Sequence, residues 1–296
     1  MEQKGHLSSP RNHPASAVYD VTTVIHDPVK APPVGVRQGY AYRIAATETV
    51  QLLAGMSDLS QLDAASNGKF SQFADDGRLL GAYGPRLSAQ LPRIETQLRA
   101  DHDTRQAIAN LWKPGDHLDA HDVPCTLSLT FRIIDGKLEL KVHMRSNDVI
   151  LGVPYDWFMF SRTQLAMAEV LGLPTGRYVH HVDNLHVYQR DEARARRFIA
   201  HGEQLDTDHS LGGEDQSGTV FTGGSVHPFT SWKQVQNAAL TIAYGAELTN
   251  RRVPWFNDHV EPLTPHSVVC VRCQYVFKRD EDDTVRNVCY TCTGDR

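Results

Sequence analysis

The chain has 296 residues, 41% hydrophobic and 22% charged, with 21 Gly and 15 Pro, a mixture that can bury a core and excludes a disordered or collagen-like chain. With 30 Lys and Arg against 35 Asp and Glu, the formal charge is −5 and the pI near 6.3, so no global basic field advertises nucleic-acid binding. Residues 1–12 carry no apolar signal segment, and Asp156, Arg162 and Glu169 interrupt the most apolar stretch, 149–173, so a soluble cytoplasmic protein is expected.

In chain order, a polar arm to about Ala15 carries a loop at Ser9-Pro10-Arg11-Asn12. Residues 44–53 read as a helix with Ile44, Val50 and Leu53 on its apolar side, stopped by Gly55. Residues 66–84 are turn-rich and carry Phe70, Phe73 and Tyr83, and 103–112 read as helical. A hairpin follows: Leu127, Leu129, Phe131 and Ile133 alternate with polar residues, Asp135-Gly136 turns the chain, and Leu138, Leu140, Val142 and Met144 alternate again. Residues 155–171 form a mostly apolar helix and 177–188 a strand with His180, His181, His186 and Tyr188. A charged helix is expected over 190–200, an acidic Gly/Ser-rich loop over 203–218, and a helix or strand over 234–248. Pro262 and Pro265 mark a linker, dividing the chain into a domain over 1–262 and a small module over 266–296.

The five cysteines divide as four plus one. Cys270-x2-Cys273 and Cys289-x2-Cys292, fifteen residues apart, have the spacing of a four-thiolate zinc ribbon. Two disulfides are the alternative, disfavoured in a reducing compartment. Four protein thiolates leave no open position, so such a zinc is structural. Arg272, Lys278, Arg279 and Arg286 are offset by Asp280, Glu281, Asp282, Asp283 and Asp295, which makes the ribbon a poor basic patch. Cys125 is left over. A two-residue turn at 135–136 sets it opposite Ser146 and one step from Arg145, whose guanidinium would favour the thiolate. Strict alternation points Arg145 to the other face, so a shared pocket requires a bulge or bend at the strand end.

These residues carry a resemblance. Val123-Pro124-Cys125-Thr126 and its hairpin, Met144-Arg145-Ser146-Asn147-Asp148, Leu151-Gly152-Val153-Pro154-Tyr155-Asp156 and Asp183-Asn184-Leu185-His186-Val187-Tyr188 resemble the thymidylate synthase superfamily. The similarity extends over about 9–260, with the motifs in ungapped spacing over 105–188. The resemblance implies an α/β (α+β) fold, a large mixed sheet flanked by helices, to which the ribbon is appended. It implies that Cys125 adds to C6 of a pyrimidine nucleotide and that Arg11, Arg145 and Ser146 hold the 5′-phosphate. Arg105 would reach that phosphate from the other subunit of a homodimer whose interface is the sheet; the arginine that usually follows is Gln106 here. His186 and Tyr188 would bind the sugar, Glu48 would organise the water that moves protons at C5, and Tyr83 would support that network. Asp148, Phe70 and Gly152 would meet the reduced folate, 5,10-methylenetetrahydrofolate.

The chemistry needs these residue types. C5 becomes a nucleophile only after a thiolate adds at C6, and a carboxylate must later remove the C5 proton. Two departures narrow the substrate. Synthases acting on uracil carry asparagine where this chain has Asp156; a carboxyl group accepts from cytosine N4 and can hold a proton toward N3. Aspartate is also a favoured helix N-cap, and both roles can hold together. Tryptophans of the synthase wall are Phe70 and Phe73 here, and the folate-capping tail is not evident. A wetter site would let water add, giving a hydroxymethyl group. The expectation is therefore a CMP or dCMP 5-hydroxymethylase. A uridylate enzyme, synthase or hydroxymethylase, and a non-catalytic nucleotide- or nucleic-acid-binding homologue are the rivals.

Overall fold

The computed structural model describes residues 5–28, 40–116, 122–196, 229–244, 267–269 and 276–278. Strands β1 (His6–Ser8), β2 (Ala15–Ile25), β3 (Ile108–Asn110), β4 (Thr126–Ile134), β5 (Lys137–Met144), β6 (Asn147–Asp148) and β7 (Thr175–Tyr188) form one sheet in the order β1-β2-β7-β5-β4-β3, with β6 also on β7. β5 and β6 run parallel to β7 and the other pairs are antiparallel, so the sheet is mixed as expected. Parallel neighbours need a long crossover. Helix α5 (Val153–Leu171) supplies it and is buried along nearly its whole length.

Helices α1 (Tyr40–Ala54), α2 (Leu59–Ser66), α3 (Tyr83–Leu87), α4 (Leu91–Ala100) and α6 (Trp232–Tyr244) complete the described helical set. One hydrophobic core joins Leu52, Leu53, Leu91 and Leu98 of the helices to Leu129, Phe131, Leu140, Val142, Tyr178 and Val182 of the sheet. Its other half is α5 and α6, with Phe160, Met167, Trp232 and Val235 fully or almost fully buried. Glu95 of α4 accepts from Trp232 N at 2.8 Å, capping an orphan N–H at the start of α6.

The hairpin has the expected ends, with Asp135 (φ 50) and Gly136 (φ 71) both in the left-handed region that a two-residue primed turn demands. Three expectations change. Residues 103–112 are not a helix: the helix is α4, earlier in the chain, and β3 occupies 108–110. The reason is a period of two, because Ala107, Ala109 and Leu111 are fully buried while Ile108 is exposed. The long strand β2 lies in a stretch for which no element was expected, although Val18, Val21, Val24 and Ile25 are β-branched residues suited to a strand. Residues 234–248 resolve to helix, beginning at Trp232 and described to Tyr244. The 190–200 segment starts as a 3-10 turn, Gln189–Asp191, with helix over 192–196. Beyond it, the loop 203–218, the linker at Pro262 and Pro265, and Cys270, Cys273, Cys289 and Cys292 lie outside the described residues. Strands β8 (Ser267–Val269) and β9 (Val276–Lys278), on either side of the first CxxC in the sequence, pair antiparallel. Among the described residues no helix is long and apolar enough to cross a membrane.

Candidate active site

The hairpin carries Cys125 to its site through an irregularity. From Ile134↔Lys137 to Ser128↔His143 the register follows the turn, but Thr126 then pairs with Met144, and Leu127 is the extra residue. Leu127 O accepts instead from Leu111 N at 2.9 Å and Trp112 N at 3.3 Å on the β3 side. This bulge corrects the expected pairing: Cys125 lies opposite Arg145, not Ser146, and its carbonyl accepts from Arg145 N at 2.9 Å. The Arg145 side chain folds back on the same loop, donating from Nε to Pro124 O (2.9 Å) and from Nη2 to Val123 O (3.0 Å). Its guanidinium also lies 5.6 Å from the centre of the Trp112 ring. Five N–H donors on a guanidinium leave capacity for an incoming anion.

Cys125 opens into a cleft together with Glu48, Asp156, Tyr83, Phe70 and Phe73. Five elements or turns supply these groups: α1 brings Glu48, the 3-10 turn Ser71–Phe73 and the residue before it bring the two phenylalanines, α3 brings Tyr83, the pre-β4 loop brings Cys125, and the first turn of α5 brings Asp156. Burial dominates their electrostatics. It pushes the Cys125 thiol up, with Arg145 and, less strongly, Arg11 pulling it down and Asp156 and Asp122 raising it further. The expected thiolate-favouring effect of Arg145 is thus present but outweighed by burial. Glu48 is raised from 4.5 to about 8 by burial and then by the Asp156 charge. Asp156 is raised from 3.8 to about 7 by burial, opposed by a hydrogen bond from Asn147. Burial, then the charges of Asp156 and Cys125, lift the Tyr83 hydroxyl well above its usual range, and its ring stacks on Phe160 with centroids 5.8 Å apart. The cleft therefore holds neutral acids at moderate pH, the state suited to donating or shuttling protons.

Behind Asp156 runs a buried polar chain that sequence reasoning missed. Asn147 Nδ2 donates to Asp156 Oδ2 at 3.0 Å and lies 3.2 Å from His180 Nε2, and His180 Nδ1 is 2.8 Å from the Tyr178 hydroxyl. Burial lowers His180 to about 3, so the ring is neutral. With Nε2 accepting from the amide, the remaining proton sits on Nδ1. Gly152 makes room for this arrangement, because a Cβ there would fall 1.9 Å from Asn147 Oδ1. Asn147 stands between expected site residues in the sequence, but nothing in the sequence indicates that it is buried. Asp122, an acid of the cleft lining also not singled out from the sequence, accepts from Gly81 N at 3.0 Å.

The remaining expected residues gather at one end of the sheet rather than in the cleft wall. Ala15 pairs with Tyr188 and Ala17 with His186, which sets the Arg11 turn beside the end of β7. Asp148 pairs with His186, and Ser146 Oγ is 3.4 Å from His186 Nδ1. His186 and Tyr188 rings meet edge-on at 5.0 Å. Asp148 Oδ1 accepts from Ile150 N and Leu151 N at 2.6 and 2.9 Å, while its Oδ2 is buried with no partner among the described residues. Phe70 and Phe73 meet edge-on at 6.3 Å in the cleft. An orphaned carboxylate oxygen suits an amino donor, and an aromatic pair suits a flat ring. Arg105 is exposed on the loop before β3, away from the cleft lining.

Comparison with known proteins agrees with this architecture. A family model described as thymidylate synthase matches residues 17–212. The chain is 37% identical over 191 residues to the deoxyuridylate hydroxymethyltransferase of Bacillus phage SP01, covering 57% of this chain and 50% of that protein. It is 31% identical over 127 residues to the thymidylate synthase of Bacillus licheniformis, covering 39% of this chain and 46% of that protein. The chain thus spans about half the length of these curated relatives. Among solved structures, thermostable thymidylate synthase A from Bacillus subtilis superposes with a TM-score of 0.54 at 26% identity, over 62% of this chain and 70% of that one. Thymidylate synthase from T4 phage superposes with a TM-score of 0.58 at 17% identity, over 66% and 76%, which speaks to fold alone. With its mixed sheet, its α5 crossover and two thirds of its length matched, the chain belongs to the thymidylate synthase family.

Proposed function

We propose that the protein is a pyrimidine nucleotide C5-hydroxymethyltransferase that converts CMP or dCMP, methylenetetrahydrofolate and water to 5-hydroxymethyl-(d)CMP and tetrahydrofolate. The observation that carries the reading is Asp156, a carboxyl group in the cleft with Cys125 and held neutral by burial up to about pH 7. A neutral carboxyl offers a donor beside an acceptor: its O–H faces cytosine N3 and its carbonyl oxygen accepts from the N4 amino group. Arg11, Arg145 and Ser146 hold the 5′-phosphate at the end of the sheet, His186 and Tyr188 take the sugar hydroxyl, and Arg105 reaches the phosphate of the other subunit in a homodimer. Phe70, Asp148 and Gly152 form the folate side.

The Cys125 sulfur bonds to C6, and the electron pair of the C5–C6 double bond moves to C5. Because burial raises the thiol, a base must take its proton as the nucleotide enters. When bound, methylenetetrahydrofolate supplies the one-carbon unit at the oxidation level of formaldehyde. Glu48, in its carboxylate form, through water and with Tyr83 in support, then removes the C5 proton, a step favoured as pH rises toward its pKa of about 8. The pair left at C5 then expels the folate nitrogen from the one-carbon unit, water adds its hydroxyl to the exocyclic carbon and gives up a proton, and the Cys125–C6 bond breaks as the C5–C6 double bond re-forms. At the far end of the chain, Cys270, Cys273, Cys289 and Cys292 hold one structural zinc in a module over 266–296, apart from the catalytic domain over 1–262. Metal analysis returning no zinc from the fully folded chain would reject that part.

A second reading is favoured by one observation, the 37% identity to a phage deoxyuridylate hydroxymethyltransferase. In it Asp156 reads uracil, its O–H toward O4 and its carbonyl toward N3–H. Incubation with CMP, dCMP and dUMP decides, following tritium release from C5 and the mass of the product. Turnover of a cytidylate with a gain of CH2O is expected. Turnover of dUMP alone overturns the cytosine assignment, and a gain of CH2 overturns hydroxymethylation.

A further inference from the structure

The face of the sheet turned away from the helices, which the homodimer reading sets against the second subunit, carries a second constellation, separate from the cleft. Parallel pairing sets His143 of β5 beside His181 of β7, and antiparallel pairing sets Thr22 of β2 beside the same His181. Neighbouring strands lie about 4.8 Å apart, so three side chains are stacked across three strands. Asp183 is two residues along β7 from His181 and therefore points to the same face. Its Oδ1 lies 2.7 Å from His143 Nε2 and 3.3 Å from His181 Nε2. Thr22 Oγ1 is 2.8 Å from His181 Nδ1, which fixes that ring and turns Nε2 inward. The three ligand atoms all lie within 4.8 Å of one another.

We propose that His143, His181 and Asp183 form a binding site for a divalent first-row transition ion, with Zn2+ as the reference ion. Ligand atoms about 2.1 Å from a common centre stand roughly 3.0–3.4 Å apart in octahedral or tetrahedral arrangement; the 3.3 Å separation fits, and the 2.7 Å hydrogen-bonded pair would open by a few tenths of an ångström. Imidazole with carboxylate suits zinc and its neighbours in the series, whereas an all-oxygen set would suit Mg2+ or Ca2+. Thr22 is the outer hydrogen-bonding partner that metal-bound histidines ordinarily have on the far ring nitrogen.

The test uses the full chain, stripped with chelator and titrated with Co2+ and Zn2+. Cobalt on the cysteines gives a thiolate-to-metal charge-transfer band, so one further equivalent that binds without this band is expected. A His143→Ala/His181→Ala double variant loses that equivalent and keeps the charge-transfer signal. Asp183→Asn, which preserves shape, weakens it at least about tenfold, and zinc raises the melting temperature of a Cys270→Ser/Cys273→Ser chain but not of one that also lacks the two histidines. Equal stoichiometry and affinity in wild type and the double variant, with unchanged circular dichroism, overturns the proposal. The outcome is independent of turnover, so it stands or falls apart from the reading of the cleft.

Discussion

His180 and His181 are adjacent on β7, yet they inhabit different solvents. His180 faces the helices, is 1% exposed, and is pushed to a pKa of about 3 inside the chain that ends on Asp156. The His181 side chain faces the other side of the sheet, is 22% exposed within one subunit, and meets a carboxylate and a threonine. Residue type is the same; the pleat decides which is locked as a neutral buried acceptor and which is free to gather other ligands. On the covered face a polar group must be satisfied by a named partner, because water cannot reach it.

The largest expected effect belongs to the covered side. Cys125→Ala should lower turnover by more than about 10³-fold, with nucleotide binding retained, measured by C5 tritium release and by equilibrium titration. Next, Asp156→Asn should move the kcat/KM ratio from cytidylate toward uridylate by about 10²-fold or more, since it replaces the acid proposed to read cytosine with the amide that uracil-reading synthases carry. An unchanged ratio would mean that Asp156 serves the helix terminus and not the ring.

Glu48 and Asp156 sharpen the contrast through pH. Folded, they keep protons to about 8 and about 7; unfolded, they release them near pH 4. The stability they contribute is complete below their unfolded values and is lost as pH rises through 7 to 8. Melts of the ligand-free chain should therefore fall between pH 5 and 9, and Glu48→Gln should flatten that slope while reducing turnover by about 10²-fold or more. Smallest are the paired substitutions on β7 and its neighbours. Asn147→Ala should cost about 1–3 kcal/mol, because it strands Asp156 and His180 without their donor. In metal-free buffer His181→Ala should stay within about 0.5 kcal/mol, as a partly exposed position does. Equal costs would erase the distinction between the two faces.

Much of the site was legible because its signals are local. Alternation and Asp135-Gly136 specify the hairpin, and the family resemblance carried by the motifs around Cys125 and Asp156 implies roles for Cys125, Glu48, Tyr83 and Asp156, which the fold brings into one cleft. The bulge at Leu127 was not legible: it depends on β3 taking the Leu127 carbonyl, a partner sixteen residues away. The helix expected over 103–112 failed for a related reason, since Ala107, Ala109 and Leu111 bury on a sheet and small residues give a weak periodic signal. Asn147 and His180 escaped because a polar side chain declares nothing about burial until its neighbours are assembled.

By itself the sequence determined the family, the turn, the apolar helix of the crossover and the identity of the acid and thiol groups, because each depends on residue types and short spacings. Only the tertiary structure decided which charges those groups carry and which backbone atoms face each other. Desolvation raises Cys125, Glu48 and Asp156 together, and it arises from α1, α5 and the sheet closing over the same cleft, a many-body property that no stretch of chain possesses alone.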